Sequence, residues 1–232
     1  MDWLALSPEE WDAIRLSLRV ATVGTLFSLP AGLFIAYALA RWRFPGKFLV
    51  DGLVHLPLVL PPVVTGYILL LLFGRHGPIG AFLYEKFGFV LAFRWTGAAL
   101  AAAVMGFPLL VRAVRLSFEA ADRRLEDAAR TLGANGVTVF FTVVLPLALP
   151  GILAGFVLAF AKALGEFGAT ITFVSNIPGE TRTLPTAIYT YTQVPGGDGP
   201  AAQLAAVAVI LSLIALVVSE YLARRMSARI GG

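Results

Sequence analysis

The 232-residue chain contains no cysteine and only two histidines, His55 and His76. Without cysteine it can form neither a disulfide framework nor a thiolate metal site, and it has no cysteine nucleophile. The two histidines do not stand at a metal-ligand spacing, so we predict no metal site and no zinc-dependent hydrolase. We also find no nucleophile and base in a pattern that would support a membrane-embedded enzyme.

Charged residues are scarce as well. Asp, Glu, Lys and Arg make up 14% of the chain, whereas 58% of its residues are hydrophobic and the mean hydropathy is +0.82. Soluble domains are about 45–50% apolar and about 25% charged. One globular core cannot hide this much apolar surface, so we predict an integral membrane protein. The net charge of +4 then indicates basic cytoplasmic loops, and we expect no nucleic-acid partner.

Five apolar stretches are long enough to cross a membrane, for which a helix needs about 20 residues. We predict spans at about 14–40, 52–73, 95–115, 143–174 and 201–223, the fourth long enough to break. The acidic N-terminus carries the capping-box pattern Ser7 to Glu10, which predicts a helix start and not a signal peptide. Residues 1–232 are therefore expected to form a single all-α transmembrane domain.

Basic residues predict the orientation of these spans. If the N-terminus lies outside, the outer segments hold six Lys and Arg residues and the inner segments eleven. Basic residues concentrate in cytoplasmic loops, so we predict an external N-terminus and a cytoplasmic C-terminus. The eleven inner residues are Arg41, Arg43, Lys47, Arg112, Arg115, Arg123, Arg124, Arg130, Arg224, Arg225 and Arg229.

Prolines interrupt the second predicted span. Pro61 and Pro62 lack backbone donors and precede Thr65 and Gly66. Irregular backbone at membrane depth is tolerated where protein buries it or where it lines a water-filled path. We therefore predict that these four residues line a pathway. The alternative is an ordinary proline kink that a neighbouring helix fills.

The fourth predicted span contains charged residues and glycines close together in the sequence. Lys162 and Glu166 stand at i,i+4 and are expected to pair on one helix face. Gly165, Gly168 and Thr170 surround the carboxylate, which favours a hinge or gate beside a translocation path. Two alternatives stay open: a neutralised pair that holds helices together, and a stand-alone channel or secondary transporter that uses the pair for coupling or selectivity.

A charged segment separates the third and fourth predicted spans. It predicts a cytoplasmic helix over about 119–134, which Gly133 ends at the C′ position. Its apolar stripe contains Leu125, Ala128, Ala129 and Leu132. Lipid headgroups, the rest of the chain or a partner could cover this stripe. Because half of it is alanine, a helix-in-groove contact with a soluble partner fits better than lipid.

The same segment carries a family motif. Inner-membrane subunits of binding-protein-dependent ABC importers share the cytoplasmic pattern E-A-A-x₃-G-x₉-I-x-L-P, and this chain resembles them with every spacing kept. Asp replaces Glu at position 127 and Val replaces Ile at position 143. The resemblance implies contact with a cytoplasmic ATPase through Asp127, Ala128, Ala129, Arg130, Leu132, Gly133, Val143, Leu145 and Pro146.

Three further segments narrow the resemblance to oxyanion permeases. Residues Pro57–Gly66 and Leu164–Thr170 are similar to molybdate and sulfate permeases, and Phe173–Tyr189 is similar to molybdate permeases in particular. The function implied is translocation of molybdate across the inner membrane. Tungstate and sulfate are the alternative substrates.

The resemblance also implies a fold and an assembly. The fold is that of a type I ABC importer permease with about five transmembrane helices and a cytoplasmic coupling helix. The assembly is a homodimer in lipid, with an ATPase dimer below and an oxyanion-binding protein outside. No nucleotide-binding loop of the form G-x-x-x-x-G-K-[ST] occurs in the sequence. The chain is therefore expected to be a transport subunit without a cofactor, and ATP and Mg²⁺ would bind to the partner.

Overall fold

The computed structural model describes residues 6–230 and, within that range, all side chains except those of 219, 220, 222–224 and 226–230. Over residues 6–230 every regular element is a helix. The side chains of Arg224 and Arg229, predicted to lie on the cytoplasmic side, fall outside the described residues. The helices are α1 Pro8–Arg41, α2 Lys47–Val59, α3 Pro62–Phe73, α4 Pro78–Phe87, α5 Trp95–Ala120, α6 Arg123–Thr131, α7 Gly136–Val139, a π-helical turn Phe140–Val144, α8 Leu145–Leu164, α9 Gly168–Val174, α10 Leu184–Thr192 and α11 Asp198–Ile230.

Four helices of the described chain are long and apolar enough to cross a membrane. They are α1, α5, the continuous stretch Gly136–Leu164, and α11 over Asp198–Val218. The pair α2 and α3 makes a fifth if it is counted as one broken span. Length and composition therefore agree with a membrane protein of four to five spans.

The second predicted span is more strongly broken than a kink. Helices α2 and α3 meet at an angle of 114°. Leu60 and Pro61, which join them, are extended, with ψ angles of 143° and 133°. Residues before a proline are driven out of the helical region, and proline itself cannot continue the hydrogen-bond ladder. Two consecutive prolines therefore end α2 and start α3 in a new direction.

The start of α1 follows the sequence pattern. The Ser7 side chain accepts a hydrogen bond from the Glu10 N–H at 3.3 Å, and the Glu10 carboxylate accepts one from the Ser7 N–H. Pro8 occupies the first helical turn. This reciprocal pair confirms the predicted capping box.

Helices α1, α5 and α8 pack against one another and form the centre of the molecule. A Cβ atom at Gly24 of α1 would lie 2.6 Å from the carbonyl oxygen of Ala99 on α5, so glycine permits this approach. Helix pairs in membranes depend on small residues at such close range. The buried alanines of α5 serve the same packing: Ala98, Ala99, Ala101, Ala102 and Ala103.

The segment 175–200 is held against the N-terminal half of α1. Its helix α10 buries Leu184 in a cluster with Ala13 and Ile14. The backbone N–H of Leu184 also donates a hydrogen bond to Ser17 Oγ, at 2.6 Å. Helix α10 is thus fixed to α1 by both apolar packing and a buried hydrogen bond.

Candidate functional site: the docking helix and the helix breaks

The predicted cytoplasmic helix is shorter than 119–134. Residues 119 and 120 belong to α5, and the chain is extended at Ala121 and Asp122 before α6 begins at Arg123. The Asp122 side chain accepts a hydrogen bond from the Arg124 N–H at 2.9 Å and so caps α6. Aspartate competes for backbone donors in this way, which is why it favours helix starts over helix interiors. We call α6 the docking helix, after the role that the family resemblance implies for it.

The docking helix is terminated by Gly133 at the C′ position, two residues after Thr131, as the sequence predicts. The Gly133 N–H donates to the Arg130 carbonyl at 2.9 Å, and the Ala134 N–H donates to the Ala129 carbonyl at 3.1 Å. These two bonds form a Schellman motif with Gly133 at C′. Its φ angle of +89° lies in the left-handed region, where glycine has no Cβ penalty.

One face of the docking helix is uncovered in the single chain. Leu132 is 90% exposed and Leu125 is 49% exposed. Asp127, Ala128 and Arg130 are also exposed. Of the four residues in the predicted stripe, Ala129 is the one that packs against the protein's own core. The remaining face therefore combines a projecting leucine with small and charged side chains.

Among the described residues of the docking helix only Glu126 is buried. Its Oε1 atom lies 2.6 Å from Nη2 of Arg41, in the last turn of α1. This pair could not be predicted from the sequence, because the two residues are far apart in the chain and the pattern around Arg41 is that of any basic loop residue. The sequence carries one indication that Glu126 is buried. Glu126 stands three residues before Ala129, so the two share a helix face, and Ala129 faces the core.

The end of the family motif coincides with the π-helical turn. Val143 lies in that turn, and Leu145 and Pro146 begin α8. The Leu145 N–H donates a hydrogen bond to the Phe140 carbonyl, five residues earlier. Pro146 has no N–H to donate to the preceding turn, which helps to explain the wider turn at this point. The motif thus marks the place where the chain re-enters a long apolar helix.

The structure brings the two predicted pathway segments together. Helix α3 packs against α9 at two glycines. A Cβ atom at Gly66 would lie 2.5 Å from the Ala169 carbonyl oxygen, and one at Gly168 would lie 2.7 Å from Cβ of Pro62. The two helices therefore approach each other too closely for a side chain at either glycine. Gly165 does not make such a close contact, because a Cβ atom added there would lie 3.9 Å from its nearest neighbour.

Glu166 holds the break between α8 and α9. It is 3% exposed, and its Oε2 atom accepts a hydrogen bond from Lys162 Nζ at 2.7 Å. Its Oε1 atom accepts a second bond from the Ala169 N–H at 3.0 Å, in the first turn of α9. The carboxylate therefore pairs with a cation on α8 and caps α9 at the same time.

The two predicted pathway threonines face the interior of the single chain. Thr65 is 6% exposed and Thr170 is 1% exposed. The Thr65 hydroxyl makes no hydrogen bond to any described residue. Pro61 and Pro62, in contrast, are exposed at the start of α3. In this conformation the prolines, and not the hydroxyls, border the surface.

Replacing Glu166 by leucine should lower the melting temperature of the purified protein in detergent. Lys162 and the Ala169 N–H would both lose their acceptor, and breaking a buried ion pair costs about 3–5 kcal/mol. The partial exposure of Lys162 reduces that cost. Glu166→Gln keeps an acceptor for Ala169 and should lose much less. Equal melting temperatures for the two variants would contradict the capping role.

The helical order, the docking helix and the broken spans define a permease of the type I ABC importer fold. The chain belongs to the family of binding-protein-dependent transport system inner membrane components, whose model matches residues 28–228. A solved bacterial ABC transporter involved in the import of the acidic polysaccharide alginate superposes with a TM-score of 0.70 at 17% identity. The match covers 98% of this chain and 82% of that chain.

Within the family, molybdenum permeases are similar over the full length. The chain is 59% identical to the molybdenum transport system permease protein ModB of Escherichia coli (strain K12), over 98% of this chain and 100% of that protein. It is 37% identical to the sulfate transport system permease protein CysT of Salmonella typhimurium (strain LT2), over 97% of this chain and 81% of that protein. Both alignments cover nearly the whole of this chain.

Proposed function

We propose that this chain carries molybdate across the inner membrane as the transmembrane subunit of an ABC importer. The observation that carries the proposal is the 59% identity to a molybdenum permease over essentially the whole of both chains. The identity to a sulfate permease is lower, at 37%. Molybdate is therefore favoured over sulfate, and tungstate, which has the same shape and charge, is the natural competitor.

We further propose that two copies of the chain assemble with two cytoplasmic ATPases, which bind ATP and Mg²⁺. The exposed face of the docking helix supports the ATPase contact, because Leu132 projects into solvent with Ala128 beside it. Large apolar side chains of α3 and α11 are exposed in the single chain, and lipid or the second copy would cover them. An external oxyanion-binding protein would deliver the substrate, consistent with a binding-protein-dependent family.

The orientation that we propose places the N-terminus outside and the C-terminus in the cytoplasm. The positive-inside count of eleven basic residues against six supports it. In this orientation the docking helix faces the cytoplasmic ATPase, and α10 lies on the external side. Both placements agree with the partners that the importer needs on each face.

The mechanism is a rigid-body switch between inward-open and outward-open states. ATP-driven closure of the ATPases moves the two docking helices towards each other, and each helix shifts the spans to which it is attached. The contact between α3 and α9 is the proposed gate. It includes Gly66 and Gly168, whose close approach makes the contact sensitive to small displacements.

A doubly charged oxyanion constrains the path that this switch opens. An unpaired charge cannot enter an apolar medium without a very large cost, so the path must offer water, hydroxyls or backbone donors. The unpartnered hydroxyl of Thr65 is one such donor. Lys162 is already paired with Glu166. Tight recognition therefore belongs to the external binding protein, and the path itself binds weakly.

The proposal is tested by uptake of labelled molybdate into proteoliposomes that contain the permease with its co-purified ATPase and binding protein. We expect uptake that requires ATP and both partners. Unlabelled tungstate should inhibit this uptake, and sulfate should not. Liposomes with the permease alone are the control and should show no uptake. Uptake by the permease alone, indifferent to ATP, would instead indicate a secondary transporter.

A further inference from the structure

Arg41 contacts the docking helix and the connection that leads into it. Its side chain is 7% exposed, and Nη2 lies 2.6 Å from Glu126 Oε1 on α6. The same nitrogen donates a hydrogen bond to the carbonyl oxygen of Ala121, at 3.2 Å, between α5 and α6. Glu126 is the one buried side chain among the described residues of α6, so this pair joins the docking helix directly to the end of α1.

Tyr37, one turn before Arg41, contacts both flanks of the docking region. Its ring packs edge-on against Phe118 near the end of α5, with centroids 5.4 Å apart. It also packs edge-on against Phe140 in the π-helical turn, at 5.1 Å. Edge-to-face aromatic pairs of this kind add to the packing energy. The last two turns of α1 therefore hold the chain before the docking helix, the helix itself and the chain after it.

Helix α1 is also attached at its other end. Its 34 residues extend over about 51 Å at 1.5 Å per residue. Near its N-terminus, Ser17 accepts the hydrogen bond from the Leu184 N–H of α10. Helix α1 thus joins the docking region to α10 through two sets of specific contacts and one continuous helix.

We propose that Arg41 is a positioning residue that transmits movement of the docking helix to α1 and, through α1, to α10. The inference rests on the proposed function, because it requires an ATPase that moves the docking helix. The pair has room to follow such a movement, since a cavity of about 350 Å³ borders Arg41, Glu126 and Asp127. Arg41 Nε makes no hydrogen bond to any described residue, so the guanidinium has a further donor for a shifted partner.

The test compares molybdate taken up per ATP hydrolysed in proteoliposomes of the assembled importer. In Arg41→Met this ratio should fall about tenfold, a loss of the size seen when coupling between sites is broken. ATP hydrolysis and co-purification of the ATPase should persist, because the exposed docking face is unchanged. Arg41→Lys restores a cation and should recover most of the ratio. Arg43→Met is the matched control, since Arg43 is exposed two residues further on.

The ratio distinguishes transmission from a merely structural role. Lower folding yield would reduce uptake and hydrolysis together and leave their ratio unchanged. A wild-type ratio in Arg41→Met would therefore overturn the proposal. If Arg41→Met does not reach the membrane, the same ratio of uptake to ATP hydrolysis is measured in Glu126→Gln. A lowered ratio in that variant supports transmission through the pair, and a wild-type ratio overturns the proposal. ATP-independent uptake by the wild-type importer would contradict the proposed function itself.

Discussion

Replacing Gly133 by valine should abolish ATP-driven molybdate uptake while the protein still reaches the membrane. Gly133 has a φ angle of +89°, and a β-branched residue in this region costs about 1–3 kcal/mol. The docking helix has nine residues, and Ala129 is the residue of its last turn that packs against the core, so few contacts hold that turn in place. The strain is therefore relieved by unwinding that turn, which displaces Leu132 from the docking face.

Gly136→Val is the matched control for this effect. A Cβ atom at either glycine would meet no atom within 4 Å, but only Gly133 has a positive φ angle. The two variants therefore add the same side chain to open space and differ in backbone conformation. Uptake and co-purification of the ATPase should be lost in Gly133→Val and kept in Gly136→Val. Normal uptake in Gly133→Val would exclude the docking assignment, and equal losses would mean that bulk matters more than conformation.

Gly133→Asn tests whether position 133 requires a positive φ angle or the absence of a side chain. Asparagine is the non-glycine residue that most readily adopts positive φ angles, because its short side chain bonds locally. We expect it to retain a substantial part of the uptake that valine abolishes. A loss as complete as that of valine would indicate that the ATPase needs the empty space at this position, and not only the helix end.

Features that depend on neighbouring residues could be predicted from the sequence. The capping box at Ser7 and the helix end at Gly133 depend on a few consecutive residues, and their backbone geometry follows from residue type. The pair of Lys162 and Glu166 depends on one turn of helix. In each case the determining atoms are within about one turn of each other, so periodicity and composition suffice.

Features that depend on tertiary packing could not be predicted in the same way. The pair of Arg41 and Glu126 joins two helices, and no local pattern distinguishes Arg41 from the exposed Arg43. The sequence predicts too early a start for the docking helix, at about residue 119, because Glu119 and Ala120 have high helix propensity and continue α5. The break at Ala121 and Asp122 reflects competition between the Asp122 side chain and the backbone ladder, which propensity alone does not resolve.

The broken spans also combine a local feature that the sequence predicts with a packing contact that it does not. Pro61 and Pro62 predict an interruption, but they predict neither the 114° angle between α2 and α3 nor the packing of α3 against α9. Two glycines, one in each predicted pathway segment, permit that contact: Gly66 lies opposite the backbone of Ala169, and Gly168 lies opposite Pro62. The sequence placed both glycines in candidate pathway segments without indicating that the segments touch.

Replacing Gly66 by alanine should reduce uptake to below about one tenth of the wild-type rate and lower the melting temperature, since overpacking costs about 1–3 kcal/mol or more. The new Cβ would lie 2.5 Å from the carbonyl oxygen and 2.8 Å from Cα of Ala169. Both are backbone atoms, so no side-chain rotation relieves the contact, and α3 must move away from α9. Gly52→Ala is the matched control, because a Cβ on this α2 glycine meets no atom within 4 Å.

Gly165→Ala separates close packing from hinge freedom in the same assay. Its Cβ would come no closer than 3.9 Å to another atom, so the substitution adds no clash and should not lower the melting temperature. If the break between α8 and α9 bends during transport, uptake should still fall, because alanine has less backbone freedom than glycine. Normal uptake in Gly165→Ala together with loss in Gly66→Ala would assign the gate to the α3–α9 contact alone. Normal uptake in both variants would contradict a gate at either place, because the contact that Gly66 permits would then be dispensable for transport.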